Sequence, residues 1–237
     1  MLSSVSFLRS AYKKNADFHK QLSTKYEKIG KGHFMIVYYD KENDRVIKAF
    51  NLAVLKHPKH SITIADDAQE FFYNVCAPVA HDNELLKEEL LKYIFKTNYD
   101  WGIYCRDNHH KYTHLPVVYS VDLYPEYYSY VIVSERLYSN KYFEDKKMSS
   151  FFNKYCINLH TYFHDSGFSF EDTFSSGVLD YKSSTKYRYT FDKENFNSLL
   201  IDMKINFADF KPDFHLGNIL FRIEDELPKV ILTDPFY

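Results

Sequence analysis

The chain has 237 residues, enough to bury a self-sufficient core as one domain or as two small lobes around a cleft. With 45% hydrophobic and 26% charged residues, the composition is that of a globular protein. The formal net charge of −2 excludes the strongly basic surface of a general nucleic-acid or membrane-surface binder. The three cysteines form no CxxC pair, and the sequence shows neither a signal peptide nor an apolar run of membrane length, so we expect a cytoplasmic protein with free thiols.

The first half of the sequence predicts helices and a small antiparallel sheet. Apolar residues recur at helical spacing up to about residue 22, and again over residues 84–95. Four runs rich in β-branched and aromatic residues predict two hairpins: 34–39 with 45–50, and 115–120 with 130–133.

The second half predicts two helices and a terminal hairpin. Helical periodicity covers residues 148–164 and 196–207. Residues 172–190 are dense in Ser, Thr, Lys and Gly and are expected to form a mobile loop or a loose hairpin. Two apolar runs, 219–223 and 229–233, flank a charged turn and predict paired antiparallel strands.

The terminal hairpin is flanked by polar residues that carry chemistry. The run Asp213-Phe214-His215-Leu216-Gly217-Asn218 precedes it, and Asp234 follows it. Antiparallel pairing brings the start of the first strand beside the end of the second, so Asn218 is expected near Asp234. An amide oxygen and a carboxylate suit a Mg²⁺ ion carried by a phosphate substrate, and Asp213 remains available to orient or deprotonate a hydroxyl acceptor. Each residue alone is better explained as part of an ordinary turn, but the paired pattern favours phosphoryl transfer.

A complementary set lies near the start of the chain. Gly30-Lys31-Gly32-His33 precedes a predicted strand, and Lys48 lies on the next strand. A glycine turn can bring backbone N–H groups against a phosphate, and a lysine on the adjacent strand can supply positive charge. A lone Gly-x-Gly is equally typical of the loop before an ordinary hairpin. It supports nucleotide binding only through its position relative to the other motifs of the chain.

That order predicts the fold. The chain has the order of parts found in a two-lobed kinase: a glycine turn, a strand lysine, a helix, a sheet, further helices, and then Asp, Asn and Asp. We therefore predict an α+β, protein-kinase-like two-lobed fold, with an antiparallel N-lobe sheet in residues 1–137 and a reduced helical C-lobe in residues 138–237. In such a fold Glu70 is the expected carboxylate partner of Lys48, with Asp66 and Asp67 as the alternatives. Glu135 and Leu137 occupy the position of an adenine-binding hinge.

The runs GKGHF, RVIK and DFHLGNILF…LTDPF resemble those of the early-gene serine/threonine protein kinases of podoviruses, the bacteriophage T-seven type. The resemblance implies ATP and Mg²⁺ as cofactors, Lys48 as phosphate anchor, Asp213 as catalytic base, and Asn218 and Asp234 as metal ligands. It also implies host bacterial proteins as substrates or targets in the host cytoplasm, without membrane or direct nucleic-acid binding. The five serine and threonine residues between 175 and 185 are expected sites of autophosphorylation.

Several features keep other functions open. Lys211-Pro212 stands where ordinary protein kinases have His-Arg before the catalytic Asp. The form Asp-x-His-x-Gly-Asn also resembles aminoglycoside and choline kinases, which favours a small-molecule acceptor. The sequence ends at Tyr237, so we expect no ordinary activation segment or peptide-docking lobe after Asp234. A pseudokinase that binds and inhibits a host enzyme is a third hypothesis.

Overall fold

The structure is a computed structural model that describes residues 4–32, 34–53, 96–139, 192–210, 212–224 and 227–236. Those residues form an α+β protein with three α-helices and seven β-strands. The chain divides into two compact units, the first made of Met1–Ile103 and Val118–Glu135 and the second of Tyr104–Val117 and Arg136–Tyr237.

The first unit contains a five-stranded antiparallel sheet in the order β1-β2-β3-β5-β4. Its elements are α1 (Ser4–Lys25), β1 (Glu27–Lys31), β2 (Met35–Asp40), β3 (Arg45–Phe50), the first part of α2 (Lys96–Asn108), β4 (Val118–Tyr124) and β5 (Ser129–Glu135). The predicted N-terminal helix and both predicted hairpins are confirmed, although β4 begins three residues later than the apolar pattern suggested.

The two faces of this sheet pack against different helices. The face toward α1 forms a buried cluster with Phe18: Ile36, Tyr38, Ile47, Ala49 and Val131. Because side chains alternate along a strand, Lys48 lies on the opposite face, paired with Val37 on one side and Ile132 on the other. Helix α2 approaches that second face so closely that a Cβ added at Gly102 would lie 2.9 Å from Cδ1 of Ile132.

Asn15 of α1 connects the helix to the sheet. Its Nδ2 donates to the carbonyl oxygens of Phe50 (3.2 Å), Tyr127 (3.3 Å) and Tyr128 (3.2 Å), and its Oδ1 accepts from the backbone N–H of Leu52 (2.9 Å). Asn15 is only 2% exposed, so water cannot readily replace its side chain as the hydrogen-bond partner of these backbone groups.

We therefore expect Asn15→Leu to lower the free energy of unfolding by about 2–4 kcal/mol, because it leaves the buried Leu52 N–H unpaired. Urea denaturation measures this loss. Asn43→Ala is the matched control, since Asn43 is exposed in the β2–β3 turn, and its cost should be about 0.5 kcal/mol or less. Equal losses in the two variants would contradict the anchoring role of Asn15.

The second unit contains the rest of α2, helix α3 and a two-stranded sheet. Its other elements are α3 (Lys193–Asn206), a 3₁₀ turn (Leu216–Asn218), β6 (Ile219–Glu224) and β7 (Leu227–Leu232). Asp192 caps α3 by accepting a hydrogen bond from the Asn195 N–H. The buried positions of α3 follow the helical period: Phe196, Leu199, Leu200 and Met203. The predicted helix over 196–207 and the predicted terminal hairpin are confirmed.

Two side chains connect the terminal hairpin to residues 113–115. Arg222 donates from Nη2 to the carbonyl of Leu115 (2.9 Å) and from Nη1 to that of Thr113 (3.3 Å). His114 is fully buried, and its Nδ1 lies 2.7 Å from the carbonyl oxygen of Val230. Because a carbonyl only accepts, Nδ1 carries the proton, and Nε2 accepts from the backbone N–H of Asp192 at 3.2 Å.

Burial lowers the pKa of His114, because desolvation disfavours the imidazolium more than the Val230 hydrogen bond favours it. Below the ordinary value of 6.5 the unfolded chain takes up a proton that the folded chain does not, so stability is complete above that pH and is lost as the pH falls. The loss is expected to reach about 1.4 kcal/mol per pH unit at most.

Urea unfolding at pH 8 and at pH 5.5 tests this dependence. His114→Gln should be less stable at pH 8 but should lose less stability on acidification than the unsubstituted protein. His110→Gln changes an exposed histidine and should keep the full slope. An unchanged slope in His114→Gln would show that other groups cause the acid sensitivity.

Several predicted elements lie outside the described residues: the helices over 84–95 and 148–164, and the loop over 172–190 with its hydroxyl cluster. Within the described ranges, no helix has the length and hydropathy needed to cross a membrane.

Candidate functional site

The loop that carries Asp213 is fixed by the segment after β7. Pro212 and Phe236 form an isolated antiparallel bridge, and the backbone N–H of Asp213 donates to the carbonyl of Pro235 at 2.7 Å. The chain then enters the 3₁₀ turn, in which the Asn218 N–H donates to the His215 carbonyl at 2.9 Å. These bonds set the position of Asp213 by backbone contacts, leaving its side chain, which is 40% exposed, available to a substrate.

Asn218 is bound directly to Asp213. Its Nδ2 donates to the Asp213 carbonyl at 2.7 Å and lies 3.4 Å from Oδ2 of the same residue. Since a carbonyl oxygen only accepts, the amide nitrogen must face Asp213, and the amide oxygen is turned away from it. Asn218 is 8% exposed, so this orientation is held in a buried setting. The oxygen of Asn218 is thus suited to serve as a metal ligand.

The hairpin brings Asn218 beside the residue that precedes Asp234. Ile219 pairs with Leu232, and the Thr233 N–H donates to the Asn218 carbonyl at 2.8 Å. The predicted juxtaposition of the two strand ends is confirmed. Asp213, Asn218 and Thr233 therefore belong to one hydrogen-bonded assembly, and Asp234 is the next residue along the chain.

Asp234 has a backbone conformation that aspartate rarely adopts. Its φ is +39°, in the left-handed region, and the next residue is Pro235. A non-glycine residue with positive φ costs about 1–2 kcal/mol, and a following proline restricts the backbone further. Strain of this kind concentrates at functional sites, where the surrounding structure fixes it.

Aromatic rings pack behind the loop. Phe236 stacks on Phe207 with ring centroids 4.9 Å apart, and Phe214 approaches Phe236 at 6.4 Å. All three rings are buried. The residues that flank Asp213 and Asp234 are thus held by the core of the second unit, and the polar side chains are left at its edge.

The predicted phosphate-binding set lies in the first unit. Gly30 and the exposed Lys31 end β1, and Gly32 donates from its N–H to the Met35 carbonyl at 2.8 Å, which closes the turn into β2. Lys48 is half-buried on β3, across from Val37 of β2. The glycine turn and the lysine therefore lie on consecutive, paired elements, as predicted.

Among the described residues, neither crowding nor backbone conformation calls for glycine in this turn. A Cβ at Gly30 or at Gly32 would meet its nearest described neighbour at 3.7 Å, an ordinary contact, and neither residue has a left-handed φ. A ligand that approaches the backbone closely would give glycine a role there.

Gly32→Ala therefore separates a ligand role from a folding role. We expect an unchanged melting temperature and an ATP KM raised roughly fivefold or more, because the methyl group would obstruct a phosphate on the backbone. Gly102→Ala is the opposite control: its Cβ would lie 2.9 Å from Ile132, so it should lower the melting temperature. A wild-type KM in Gly32→Ala would remove this turn from the nucleotide site.

The predicted hinge residues follow the sheet. Glu135 is the last residue of β5 and pairs with Arg45, and Leu137 is half-buried shortly after it. Tyr138 then exchanges two backbone hydrogen bonds with Phe221, each 2.8 Å long. Glu70 and His33 lie outside the described residues.

The oxygen donors of the second unit fit a phosphate-bound Mg²⁺. In the described ranges no three or more His, Cys, Asp and Glu side chains cluster as a self-sufficient metal site. Mg²⁺ commonly takes only one or two protein ligands and completes its shell with water and substrate phosphates. An amide oxygen from Asn218 and a carboxylate from Asp234 satisfy that requirement.

Sequence reasoning did not identify the side chains that hold this site in place. Arg222 and His114 fix the hairpin to residues 113–115, and nothing in their local sequence signals it, because their partners lie about 80 to 116 positions away.

Comparison of the chain with protein-family models gives no match, and comparison with curated proteins gives none either.

Proposed function

We propose that the chain is an ATP- and Mg²⁺-dependent phosphotransferase of the protein-kinase-like fold. One observation carries the proposal: Asn218 is hydrogen-bonded both to Asp213, through its side chain, and to the residue before Asp234, through its carbonyl. A potential base and one potential metal ligand are thereby joined, and the second potential ligand, Asp234, follows the residue bonded to Asn218, which supports a role in phosphoryl transfer.

The proposed roles follow from the chemistry of each group. Asp213 accepts a hydrogen bond from the acceptor hydroxyl and takes its proton as the oxygen bonds to the γ-phosphorus. The bond from that phosphorus to the β–γ bridging oxygen breaks, and ADP leaves. Asn218 and Asp234 would hold Mg²⁺, and the bound ion would supply charge neutralisation to the phosphates. Lys48 supplies positive charge to the nucleotide, with Gly30 and Gly32 allowing close backbone approach.

We further propose serine or threonine hydroxyls of host bacterial proteins as acceptors. This choice rests on the resemblance to podoviral early kinases through GKGHF, RVIK and DFHLGNILF. A small-molecule acceptor is the second candidate, because Asp-Phe-His-Leu-Gly-Asn has the form found in aminoglycoside and choline kinases.

Incubation with γ-labelled ATP, Mg²⁺ and a bacterial lysate distinguishes the two acceptors. Label that is retained with protein on a filter, and that does not appear when a Mg²⁺ chelator is added, supports the protein kinase. Label in the low-mass filtrate supports the small-molecule enzyme. Absence of label in both fractions, together with a host protein retained by both the unsubstituted chain and Asp213→Ala, would favour an inhibitory pseudokinase.

Mass spectrometry of the protein after incubation with ATP tests the expected autophosphorylation between residues 175 and 185. That segment lies outside the described residues, so the expectation rests on its hydroxyl content.

A further inference from the structure

The imidazole of His215 is oriented by the backbone of its own turn. Its Nδ1 lies 2.9 Å from the backbone nitrogen of Gly217, and a Cβ at Gly217 would come within 2.7 Å of the ring's Cε1. The His215 side chain is 57% exposed, so packing alone does not hold the ring. The hydrogen bond and the absence of a side chain at Gly217 together fix its position.

This contact determines the tautomer. A backbone N–H can only donate, so Nδ1 of His215 must accept and carries no proton in the neutral ring. The proton is then on Nε2. That nitrogen lies 3.6 Å from Oδ2 of Asp213, and Nδ2 of Asn218 lies 3.4 Å from the same oxygen.

Both side-chain contacts to the Asp213 carboxylate in the described part of the chain therefore fall on one oxygen. At 3.6 Å the His215 contact is longer than a formed hydrogen bond. Hydrogen bonds in unliganded sites are commonly long and shorten when substrate binds. The ring is already held from its other nitrogen, so Nε2 stays beside this oxygen.

We infer that His215 is a positioning residue: its Nε2–H, directed by the Gly217 N–H on the opposite ring nitrogen, holds Oδ2 of Asp213 so that Oδ1 faces the acceptor hydroxyl. This role rests on the proposed phosphotransfer at Asp213. It gives His215 no part in moving the transferred proton, and it explains why glycine occupies position 217.

Three substitutions separate the two ring nitrogens. In His215→Asn, the side-chain oxygen replaces Nδ1 as acceptor for Gly217, but nothing replaces the Nε2 donor. In His215→Gln, an amide N–H can reach the Nε2 position, but the Nδ1 acceptor is lost. His215→Ala removes both, and each variant is assayed for kcat, ATP KM and melting temperature.

We expect His215→Asn to keep the wild-type melting temperature and ATP KM but to lose about tenfold or more in kcat, the effect of one hydrogen bond to a charged group. His215→Gln should recover part of kcat relative to His215→Ala. A wild-type kcat in His215→Asn would overturn the inference and leave the ring as a turn cap. So would a loss of kcat that follows the loss of melting temperature across all three variants.

A readout without catalysis distinguishes failure of this inference from failure of the proposed function. Nitrogen-15 NMR of the unsubstituted chain, recorded at alkaline pH to observe the neutral ring, should show the His215 proton on Nε2, and Asp213→Asn should shift that N–H resonance. A ring protonated at Nδ1, or an Nε2–H resonance unmoved by Asp213→Asn, would overturn the inference even if no phosphate is transferred. The predicted spectrum with no phosphate transfer would support the contact and reject the phosphotransferase.

Discussion

Asp213→Asn is expected to lower the rate of phosphate transfer by about 10²–10⁴-fold, because it removes the group that accepts the acceptor's proton. The fold should be unaffected. Asn218 donates to the backbone carbonyl of Asp213 at 2.7 Å, and the Asp213 N–H donates to Pro235, and neither bond depends on the carboxylate. Steady-state kinetics with ATP and a labelled acceptor, beside a thermal melt, measure both effects.

Asp209→Asn is the matched control for this substitution. Asp209 is an exposed carboxylate of the same unit, four residues before Asp213, and it should retain full activity. The ATP KM of Asp213→Asn should remain close to that of the unsubstituted chain, since nucleotide contacts are assigned to other residues. Equal activity in Asp213→Asn and Asp209→Asn would show that Asp213 is not the base.

Substitution of Asp234 should separate catalysis from stability. Asp234→Ala and Asp234→Gly both remove the proposed metal ligand, so both should lower Mg²⁺-dependent transfer on the order of 100-fold or more. Only glycine accommodates the φ of +39° without strain. Asp234→Gly should therefore be more stable than Asp234→Ala by about 1 kcal/mol in urea unfolding.

The structure contains a matched control for this strain. Asp44, in the β2–β3 turn, has a φ of +49°, so Asp44→Gly and Asp44→Ala should show the same difference in stability. Both Asp44 variants should keep full transfer activity. Full activity in Asp234→Ala would remove Asp234 from the site, and equal stability of the glycine and alanine variants would argue against strain at that position.

The sheet and the terminal hairpin were predictable because their signals are local. Runs of β-branched and aromatic residues on both sides of the polar turn at 40–44 predict the β2–β3 pairing, and the charged residues after Ile223 predict the turn of the last hairpin. Helix α2 was missed. Its sequence, KTNYDWGIYCRDN, has Gly102 near the middle and no sustained apolar stripe, so no local pattern predicts a helix. In the structure the helix lies close to Ile132 at Gly102, where there is no side chain to prevent the approach.

The candidate site was predictable in part for the same reason. Strand pairing alone predicts that Asn218, before the first strand, lies near Asp234, after the second. The hydrogen bond from the Thr233 N–H to the Asn218 carbonyl confirms this proximity of the backbone. The left-handed φ of Asp234 and the orientation of the Asn218 amide depend on bonds to Asp213 and on the packing of Phe236. Those contacts are set by tertiary structure, so no residue pattern reports them.

Transfer of the ATP γ-phosphate is the most direct test of the central claim that these residues form a phosphotransferase site. The unsubstituted chain, Asp213→Asn and Asp234→Ala are incubated in parallel with labelled ATP, Mg²⁺ and bacterial lysate. We predict label on an acceptor with the unsubstituted chain and only a trace with either variant. Absence of transfer by the unsubstituted chain, or equal transfer by all three, would contradict the claim.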